Sequence, residues 1–457
     1  MYDSRFTIHN SRQLVRIFIL LCAVYCSLFT SAYALDAKRQ VLENGLTLLM
    51  VERHNLPIVK VTVGIRAGSL MEPEDRAGLA GLTAALLTEG TKKRSAAQIS
   101  EESEFVGASV GASGGDDFIT VSLSVLKKDV SLGFDLLSDI ILNPVFPEKE
   151  LNKKVKQIKG SLKAREDDPG FVASKIFKSE VFGKHPYGRL TAGSPETLDR
   201  IKRDDVVKFH SALYVPNNSI MSVVGDITPE EVSGLLERYF SAWRAKPVEL
   251  SPPEKPAEIK KKKTVVIDRD LTQANIILGH IGISRDNPEY YAVSVMNYIL
   301  GGGGFGSRLM QNIREEKGLV YDIHSSFSAN KYGGSFRVSL QTKNESANVA
   351  IEEVLNEMKK IMNGKVSDSE LSDAKAFLTG SFPMRIETSG RIAGFLVAVE
   401  YYGLGVDYVN NYPGYINSVT KEDVLEAAKK YLDPEQFILV VVADKDKASI
   451  VENKSRE

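Results

Sequence analysis

Residues 201–226 read IKRDDVVKFHSALYVPNNSIMSVVGD, residues 419–444 read VTKEDVLEAAKKYLDPEQFILVVVAD, and the two stretches align without a gap. Asp205 stands opposite Asp423, and the central proline and the final aspartate also coincide. Each stretch has the pattern of an amphipathic helix, a proline-marked turn and an apolar strand. A duplication is the simplest explanation, and it predicts a protein made of two related halves.

Further strand and helix patterns surround this repeat in both halves. The first half contains LTLLMVER, IVKVTVGIRAG and FITVSLSVL, and the second contains ANIILGHIGI and GSFRVSLQT. Strands that cluster before helices, with polar or glycine turns between them, favour antiparallel-rich sheets over an alternating βαβ fold. The predicted fold class is α+β, with two homologous halves that each pack helices on an antiparallel-rich sheet.

A charged, proline-containing stretch, PVELSPPEKPAEIKKKK at residues 247–263, separates the halves. It lacks hydrophobic periodicity and has the composition of a solvated linker. With an export signal at residues 1–34, this stretch predicts one domain at 35–246 and a second at 264–457. The full chain has a net charge of −1, which argues against nucleic acid as a partner.

The first 34 residues have the features of a secretory signal. Arg12 and Arg16 precede an apolar run at residues 17–29, and AYA at 32–34 fits a cleavage site. The apolar run is too short to span a bilayer, so we expect no membrane span after signal removal and a periplasmic location. An uncleaved anchor is the alternative. The signal also contains both cysteines of the chain, Cys22 and Cys26.

An Ala/Leu-rich segment, RAGLAGLTAALLTEGT at residues 76–91, predicts a buried scaffold helix. Its flanks, AGLA and EGT, resemble those of the zinc helix in the pitrilysin and mitochondrial-processing-peptidase family, where His-x-x-Glu-His follows AGLA as an inverted zincin motif. The resemblance places Gly81, Ala84 and Ala85 at the two His and the Glu. None of these side chains has a donor atom.

The resemblance also locates the family's remaining zinc ligand, a Glu within a Glu-Glu pair shortly before a segment like REDDP. That segment stands here at residues 165–169, and counting back puts Gly160 and Ser161 where the pair should be. All the ligand positions therefore lack a ligand, and we predict no metal in this chain. Five histidines follow the signal, and no two lie within one helical turn: His54, His185, His210, His280 and His324.

Two further blocks extend the resemblance through the first half. KHPYGRLTAGSPETLDRI, at residues 184–201, resembles the family's HPYG segment, and residues 209–226 resemble its F-x-x-x-Y-x-P-x-N block. His185 could be a catalytic imidazole. A structural role in a turn is the favoured interpretation, because a proline follows it and no partner group is apparent.

A glycine run opens the segment GGGGFGSRLMQNIREEKGLVY at residues 301–321. Nucleotide binding is rejected, because a helix rather than a strand precedes the run and no P-loop lysine follows. We interpret the run as a flexible loop that allows close approach to another backbone and binds substrate. A plain helix-to-helix turn is the alternative. The residues assigned to substrate binding are Gly301, Gly302, Gly303 and Gly304.

Arg314 and Tyr321 are the candidate catalytic residues. Their spacing matches an Arg and a Tyr that members of the family contribute from the C-terminal half to a zinc site in the N-terminal half. A guanidinium and a phenol can stabilise the oxyanion of a tetrahedral intermediate. The alternative makes Arg314 a surface ion-pair partner of Glu315 or Glu316, and Tyr321 a core strand residue.

The resemblance implies a metal-free, non-catalytic subunit of an exported heteromeric zinc metallopeptidase, inactive alone. A homologous partner carrying His-x-x-Glu-His would hold the zinc, and the substrate would be a peptide or unfolded polypeptide. A non-enzymatic scaffold or binding protein on the same fold is the main alternative. A self-sufficient zinc metalloendopeptidase is the least favoured one.

Overall fold

The computed structural model describes residues 35–249 and 252–450, so the predicted export signal at 1–34 lies outside the described residues. The described chain forms two β-sheets. The first contains β1 (Lys38–Val41), β2 (Thr47–Glu52), β3 (Ile58–Ile65), β4 (Ser109–Gly114), β5 (Ile119–Leu126) and β6 (Ser219–Gly225). The second contains β7 (Lys263–Asp268), β8 (Gln273–Ile281), β9 (Val320–Phe327), β10 (Ser335–Lys343) and β11 (Ile438–Ala443).

Five strands of the first sheet have the same topology as the five strands of the second, and β1 is an additional strand at the edge of the first. The first has the order β1-β2-β6-β3-β5-β4, and the second has the order β7-β11-β8-β10-β9. In each sheet the last strand of the half pairs in parallel with the first strand of the shared pattern, β6 with β2 and β11 with β7. Every other pairing is antiparallel. The predicted fold class is confirmed, and the shared order supports a duplication.

The described residues also form fifteen α-helices, which pack on these sheets or on one another. In the first half they are α1 (Leu79–Leu86), α2 (Ala96–Phe105), α3 (Val130–Leu142), α4 (Glu148–Arg165), α5 (Pro169–Phe182), α6 (Pro195–Arg200), α7 (Arg203–Leu213) and α8 (Pro229–Phe240). In the second they are α9 (Tyr290–Asn297), α10 (Ala347–Asn363), α11 (Asp368–Ser381), α12 (Ser389–Tyr401), α13 (Tyr408–Ser418), α14 (Lys421–Tyr431) and α15 (Lys445–Ala448).

The repeated sequence pattern forms the same unit twice. The carboxylate of Asp205 accepts the backbone N–H of Lys202 at the start of α7, and that of Asp423 accepts the N–H of Thr420 at the start of α14. Each bond satisfies a backbone donor that the helix leaves unpaired at its N-terminus. The following strands, β6 and β11, are buried along their whole length, which explains their uninterrupted apolar sequence.

One face of each sheet is covered by a helix that belongs to the other half. Helix α12 of the second half packs on β3 and β6, and α5 of the first half packs on β8 and β11. At Gly64 of β3 the contact is tight, because an added Cβ would lie 2.3 Å from Cγ1 of Val397. The halves are therefore interlocked, and neither sheet is fully covered without the other half.

The stretch between the halves lies along the surface. Its side chains are mostly exposed, but Pro253, Pro256 and Ile259 are half-buried at every third position. A spacing of three residues is the period of the polyproline II helix. Pro256 contacts the backbone beside Gly333, and Ile259 packs on the apolar cluster around β11. The predicted linker and the domain boundaries on either side of it stay a prediction.

No helix within residues 35–249 and 252–450 is both long enough and apolar enough to cross a membrane.

Candidate functional site

Helix α1 occupies the place where the zinc helix was expected. It begins after Gly78, which has a φ of 98°. The buried carboxylate of Glu72 accepts the backbone N–H groups of Gly78 and Ala80, both at 3.0 Å. Burial raises the pKa of Glu72 to about 7, although the two N–H groups oppose this shift. A buried carboxyl group thus fixes the start of the helix.

The positions expected for the zinc-binding His and the Glu are filled by packing. Ala84 is buried, and Gly81 lies against two backbone segments. A Cβ on Gly81 would be 3.1 Å from the carbonyl oxygen of Thr191, and a Cβ on Gly114 would be 2.7 Å from the Cα of Gly81. A side chain at position 81 would therefore lie closer to the Thr191 carbonyl than an ordinary contact, and this backbone would have to shift by a few tenths of an ångström.

The positions of the family's Glu-Glu pair also lack side chains that could bind zinc. Gly160 and Ser161 lie exposed on α4 and carry no carboxylate. Across the part of the chain that the structure describes, no three His, Cys, Asp or Glu side chains are grouped so that they could hold a metal ion. The residues present at the family's zinc site therefore do not fit the metal.

His185 has the structural role expected from the sequence. Its Nδ1 accepts the backbone N–H of Tyr187 at 3.1 Å and so starts a short 3₁₀ turn. Its ring also lies against the rings of Phe182 and Tyr187. Burial, aided by the charge of Arg189, lowers the pKa of His185 and so favours its neutral form.

The glycine run divides into a packed part and an open part. Gly301 is buried in the π-helical segment Tyr298–Gly302, and a Cβ there would lie 2.8 Å from the backbone nitrogen of Ser325 in β9. Gly303 has an equally close neighbour, the carbonyl oxygen of Tyr298. Gly304 is open and has a φ of 58°, which favours glycine. At Gly301 the close approach is to a strand of the same chain, and this residue is buried, while the assignment of the glycine run to substrate binding stays a prediction.

Arg314 lies in a second π-helical segment, Met310–Glu316, and its side chain is 25% exposed. One guanidinium nitrogen is 3.1 Å from a carboxylate oxygen of Glu315, so the ion pair with a neighbouring Glu exists. The guanidinium carbon also lies 4.8 Å from the ring centre of Phe305 and 5.6 Å from that of Tyr321. Both distances are within the range of cation–π attraction.

Tyr321 stands on a β-bulge of β9, an edge strand of the second sheet. The register pairs Val320 with Thr342 and Asp322 with Gln341, so Tyr321 is an extra residue without a partner on β10. Bulges turn a side chain away from the regular alternation and occur often next to active sites. The Tyr321 side chain is 76% exposed. The alternative of a core residue is wrong, although the residue does belong to a strand.

Phe305 is the part of this cluster that sequence reasoning missed. It lies in the 3₁₀ turn Gly304–Gly306 and is 66% exposed. A large apolar residue in the middle of a glycine-rich loop is the signal that could have identified it, because such loops rarely need one for packing. Phe305, Arg314 and Tyr321 together form an exposed aromatic–guanidinium cluster, a composition typical of interaction surfaces.

Two family models match the chain. The one described as insulinase, peptidase family M16, matches residues 47–194, and the one described as peptidase M16 inactive domain matches residues 200–378. Among curated relatives, the non-peptidase homolog YmxG of Helicobacter pylori is 26% identical over 94% of this chain and 98% of its own. The uncharacterized zinc protease YmxG of Bacillus subtilis is 27% identical over 77% of this chain and 85% of its own.

Solved structures show the same fold. A peptidase M16 inactive domain from Pseudomonas fluorescens has a TM-score of 0.84 and 29% identity, over 92% of this chain and all of that one. A protease from Helicobacter pylori has a TM-score of 0.83 and 20% identity, over 90% of this chain and all of that one. The topology, the absent zinc ligands and these matches lead to one conclusion: the chain belongs to the M16 peptidase family, as a member without the zinc motif.

Proposed function

We propose that this chain is the non-catalytic subunit of a heteromeric zinc metallopeptidase and supplies Arg314 and Tyr321 to the active site of a homologous partner. The partner carries His-x-x-Glu-His and the zinc. Peptide or unfolded polypeptide enters between the two chains. The names of the Helicobacter and Pseudomonas relatives, which describe a non-peptidase and an inactive domain, support the non-catalytic role.

The exposed position of Tyr321 is the observation that carries this proposal. A bulge in an edge strand directs its ring away from the sheet and towards Arg314. An exposed tyrosine beside an arginine and a second exposed aromatic ring has the composition that is enriched at interaction surfaces, which supports a contact with another chain. A guanidinium and a phenol side by side can stabilise the oxyanion that develops when a peptide carbonyl is attacked.

The ion pair of Arg314 with Glu315 is weak enough for another hydrogen-bond acceptor to replace Glu315. The pair joins two residues adjacent in sequence, and the Glu315 side chain is 57% exposed. Such exposed pairs contribute little free energy, so an oxyanion or a substrate carbonyl can replace Glu315 at small cost.

The test is to purify the chain alone and together with an exported, similar-sized homologue carrying His-x-x-Glu-His, and to measure bound zinc and peptide cleavage. We expect zinc and cleavage only when the homologue is present. Arg314→Ala and Tyr321→Phe in this chain should then lower kcat by at least about tenfold, because each removes a transition-state contact.

Two variants serve as matched controls. Arg391→Ala removes an exposed arginine that is similarly paired with a nearby glutamate, Glu387, at 3.2 Å. Tyr415→Phe removes the hydroxyl of another exposed tyrosine of the second half. Both should leave cleavage unchanged. Full activity of the Arg314 and Tyr321 variants would refute the contribution in trans, and zinc at unit stoichiometry in the isolated chain would refute the metal-free assignment.

A non-enzymatic binding or scaffold protein is the second candidate, favoured by the packed zinc site at Gly81. It predicts a stable complex in which neither Arg314 nor Tyr321 affects any activity. Export to the periplasm belongs to both candidates and is tested by N-terminal sequencing of the protein from a periplasmic fraction, where we expect the chain to begin near Leu35.

A further inference from the structure

A small cavity lies beside the glycine run in the second half. Its volume is about 260 Å³, and its walls are mainly apolar and aromatic. They include Ile283, Val293, Tyr298, Phe327, Phe377 and Leu378. A ligand pocket for a small molecule usually has about 300–1,000 Å³, so this cavity is suited to a single large side chain.

The cavity adjoins the glycine run, which precedes Phe305 in the sequence. Gly302 of the glycine run lines it, and the ring of Tyr298 lies against the next residue, Gly303. The exposed Phe377 forms part of the wall, 5.0 Å from the ring of Tyr298, and the exposed Met384 adjoins the lining residue Arg385 in sequence. An exposed group of large apolar side chains around a cavity indicates a binding surface.

One cation stands at this cavity. Arg385 lines it and is exposed, and it forms no salt bridge with any residue that the structure describes. Its guanidinium lies 5.7 Å from the ring of Phe382 and 5.8 Å from that of Tyr412, close to the outer limit of cation–π attraction. An arginine without a carboxylate partner is suited to a carboxylate of an incoming ligand.

We propose that this cavity binds an aromatic or large aliphatic side chain of an extended polypeptide, with a carboxylate next to that side chain at Arg385. The inference rests on the polypeptide substrate of the proposed function. It gives that substrate a preferred residue and places its binding in this chain rather than in the zinc-bearing partner. The mainly apolar lining, which includes the rings of Phe327 and Phe377, favours a large apolar side chain over a small polar one.

The test uses fluorescein-labelled peptides of Gly and Ser with one central residue, Phe, Leu, Ala or Lys, and either Glu or Lys beside it. Binding to the isolated chain is measured by fluorescence anisotropy. The Phe peptide should bind about tenfold more tightly than the Ala peptide, because a buried aromatic side chain contributes at least that factor. Glu beside the Phe should tighten binding, and Arg385→Gln should abolish the difference between Glu and Lys.

Ser294→Leu fills the cavity without removing a wall. Ser294 lines it from α9 and donates a hydrogen bond only to the carbonyl of Tyr290 one turn earlier. We expect unchanged or higher thermal stability and about tenfold weaker binding of the Phe peptide. The matched control is Ser211→Leu on α7, where the serine likewise donates only to a carbonyl of its own helix, that of Lys208.

Two outcomes would overturn the inference: no binding of the Phe peptide to the wild-type chain, or binding that neither the central residue nor Ser294→Leu affects. Neither outcome decides the role of Arg314 and Tyr321, which the cleavage assay with the partner tests separately. Conversely, full cleavage by the Arg314 variant together with selective peptide binding would leave the cavity assignment intact.

Discussion

Glu72 is a carboxyl group with a strongly raised pKa, and it lies at the start of α1, the helix found where the zinc helix was expected. It is buried, it faces the N-terminus of α1, and the charges that act on it are those of Arg189 and Asp116. Its folded pKa of about 7 lies above the usual 4.5, so the folded state binds more protons than the unfolded state between these values. Protonation of Glu72 therefore favours folding, and stability falls as pH rises from 4.5 to 7.

We expect Glu72→Gln to remove this dependence. The free energy of unfolding of the wild type should drop relative to the variant by up to about 3 kcal/mol between about pH 4.5 and pH 8, since a tenfold change in proton affinity corresponds to about 1.4 kcal/mol. Urea denaturation at several pH values measures it. Glu74→Gln, at an exposed neighbour, is the control and should follow the wild type. Parallel curves for wild type and Glu72→Gln would contradict the assignment.

Gly81 and Gly160 stand at two positions where the family has zinc ligands, but their surroundings differ. A Cβ on Gly81 meets backbone, whereas a Cβ on Gly160 meets nothing within 4 Å. Gly81→His should therefore destabilise the protein by about 1–3 kcal/mol, as overpacking does. Gly160→His should be neutral or stabilising, because glycine is unfavourable within a helix. Thermal unfolding of both variants tests this, and equal melting temperatures would refute the difference in packing.

The elements of the candidate site show what a sequence pattern can and cannot predict. The spacing of Arg314 and Tyr321 and the helix end at Gly318, which has a φ of 61°, were visible in the sequence. The bulge at Tyr321 was not, because it depends on the register between β9 and β10, which lie on either side of a turn. The contact with Phe305 was also hidden, since a loop residue has no periodicity that reveals its neighbours.

The close contact between α12 and β3 makes the stability of the protein sensitive to a larger residue at position 64. Gly64→Ala should destabilise the protein by about 1–3 kcal/mol, because the new methyl group strikes the stiff side chain of Val397. Adding Val397→Ala should recover part of this loss, which a double-mutant cycle in urea measures as a favourable coupling. Val399→Ala, a buried valine on the same helix, should give no coupling.

For the molecule as a whole, the duplication could be predicted from the repeated pattern, and the fold class from the strands that cluster before helices in both halves. The sequence did not reveal that α5 and α12 each pack on the sheet of the other half. Hydrophobic periodicity shows that a helix has a buried face, but not which sheet covers it. A buried carboxylate also links the two halves. Asp117 of the first half accepts hydrogen bonds from Tyr187 of the same half and from Tyr402 of the second.

The interlocked arrangement predicts that the halves cannot fold apart. Residues 35–246 and 264–457, expressed separately, should each aggregate or lack a cooperative unfolding transition, because each leaves an apolar sheet face open. Expressed together, they should form a stable 1:1 complex. Size-exclusion chromatography and circular dichroism are the measurements. A separate half that remains monomeric and unfolds cooperatively would refute the prediction.

The position of α12 in the chain also sets the order of events during synthesis. The strands β3 and β6 are complete at Gly225, but the helix that covers them ends at Tyr401. At the usual rates of translation, the ribosome needs roughly 10–35 s to make the intervening segment. During that time the nascent first half exposes the apolar face of its sheet, which is prone to aggregation. It therefore has to be bound by a chaperone or kept unfolded until almost the entire polypeptide has been made.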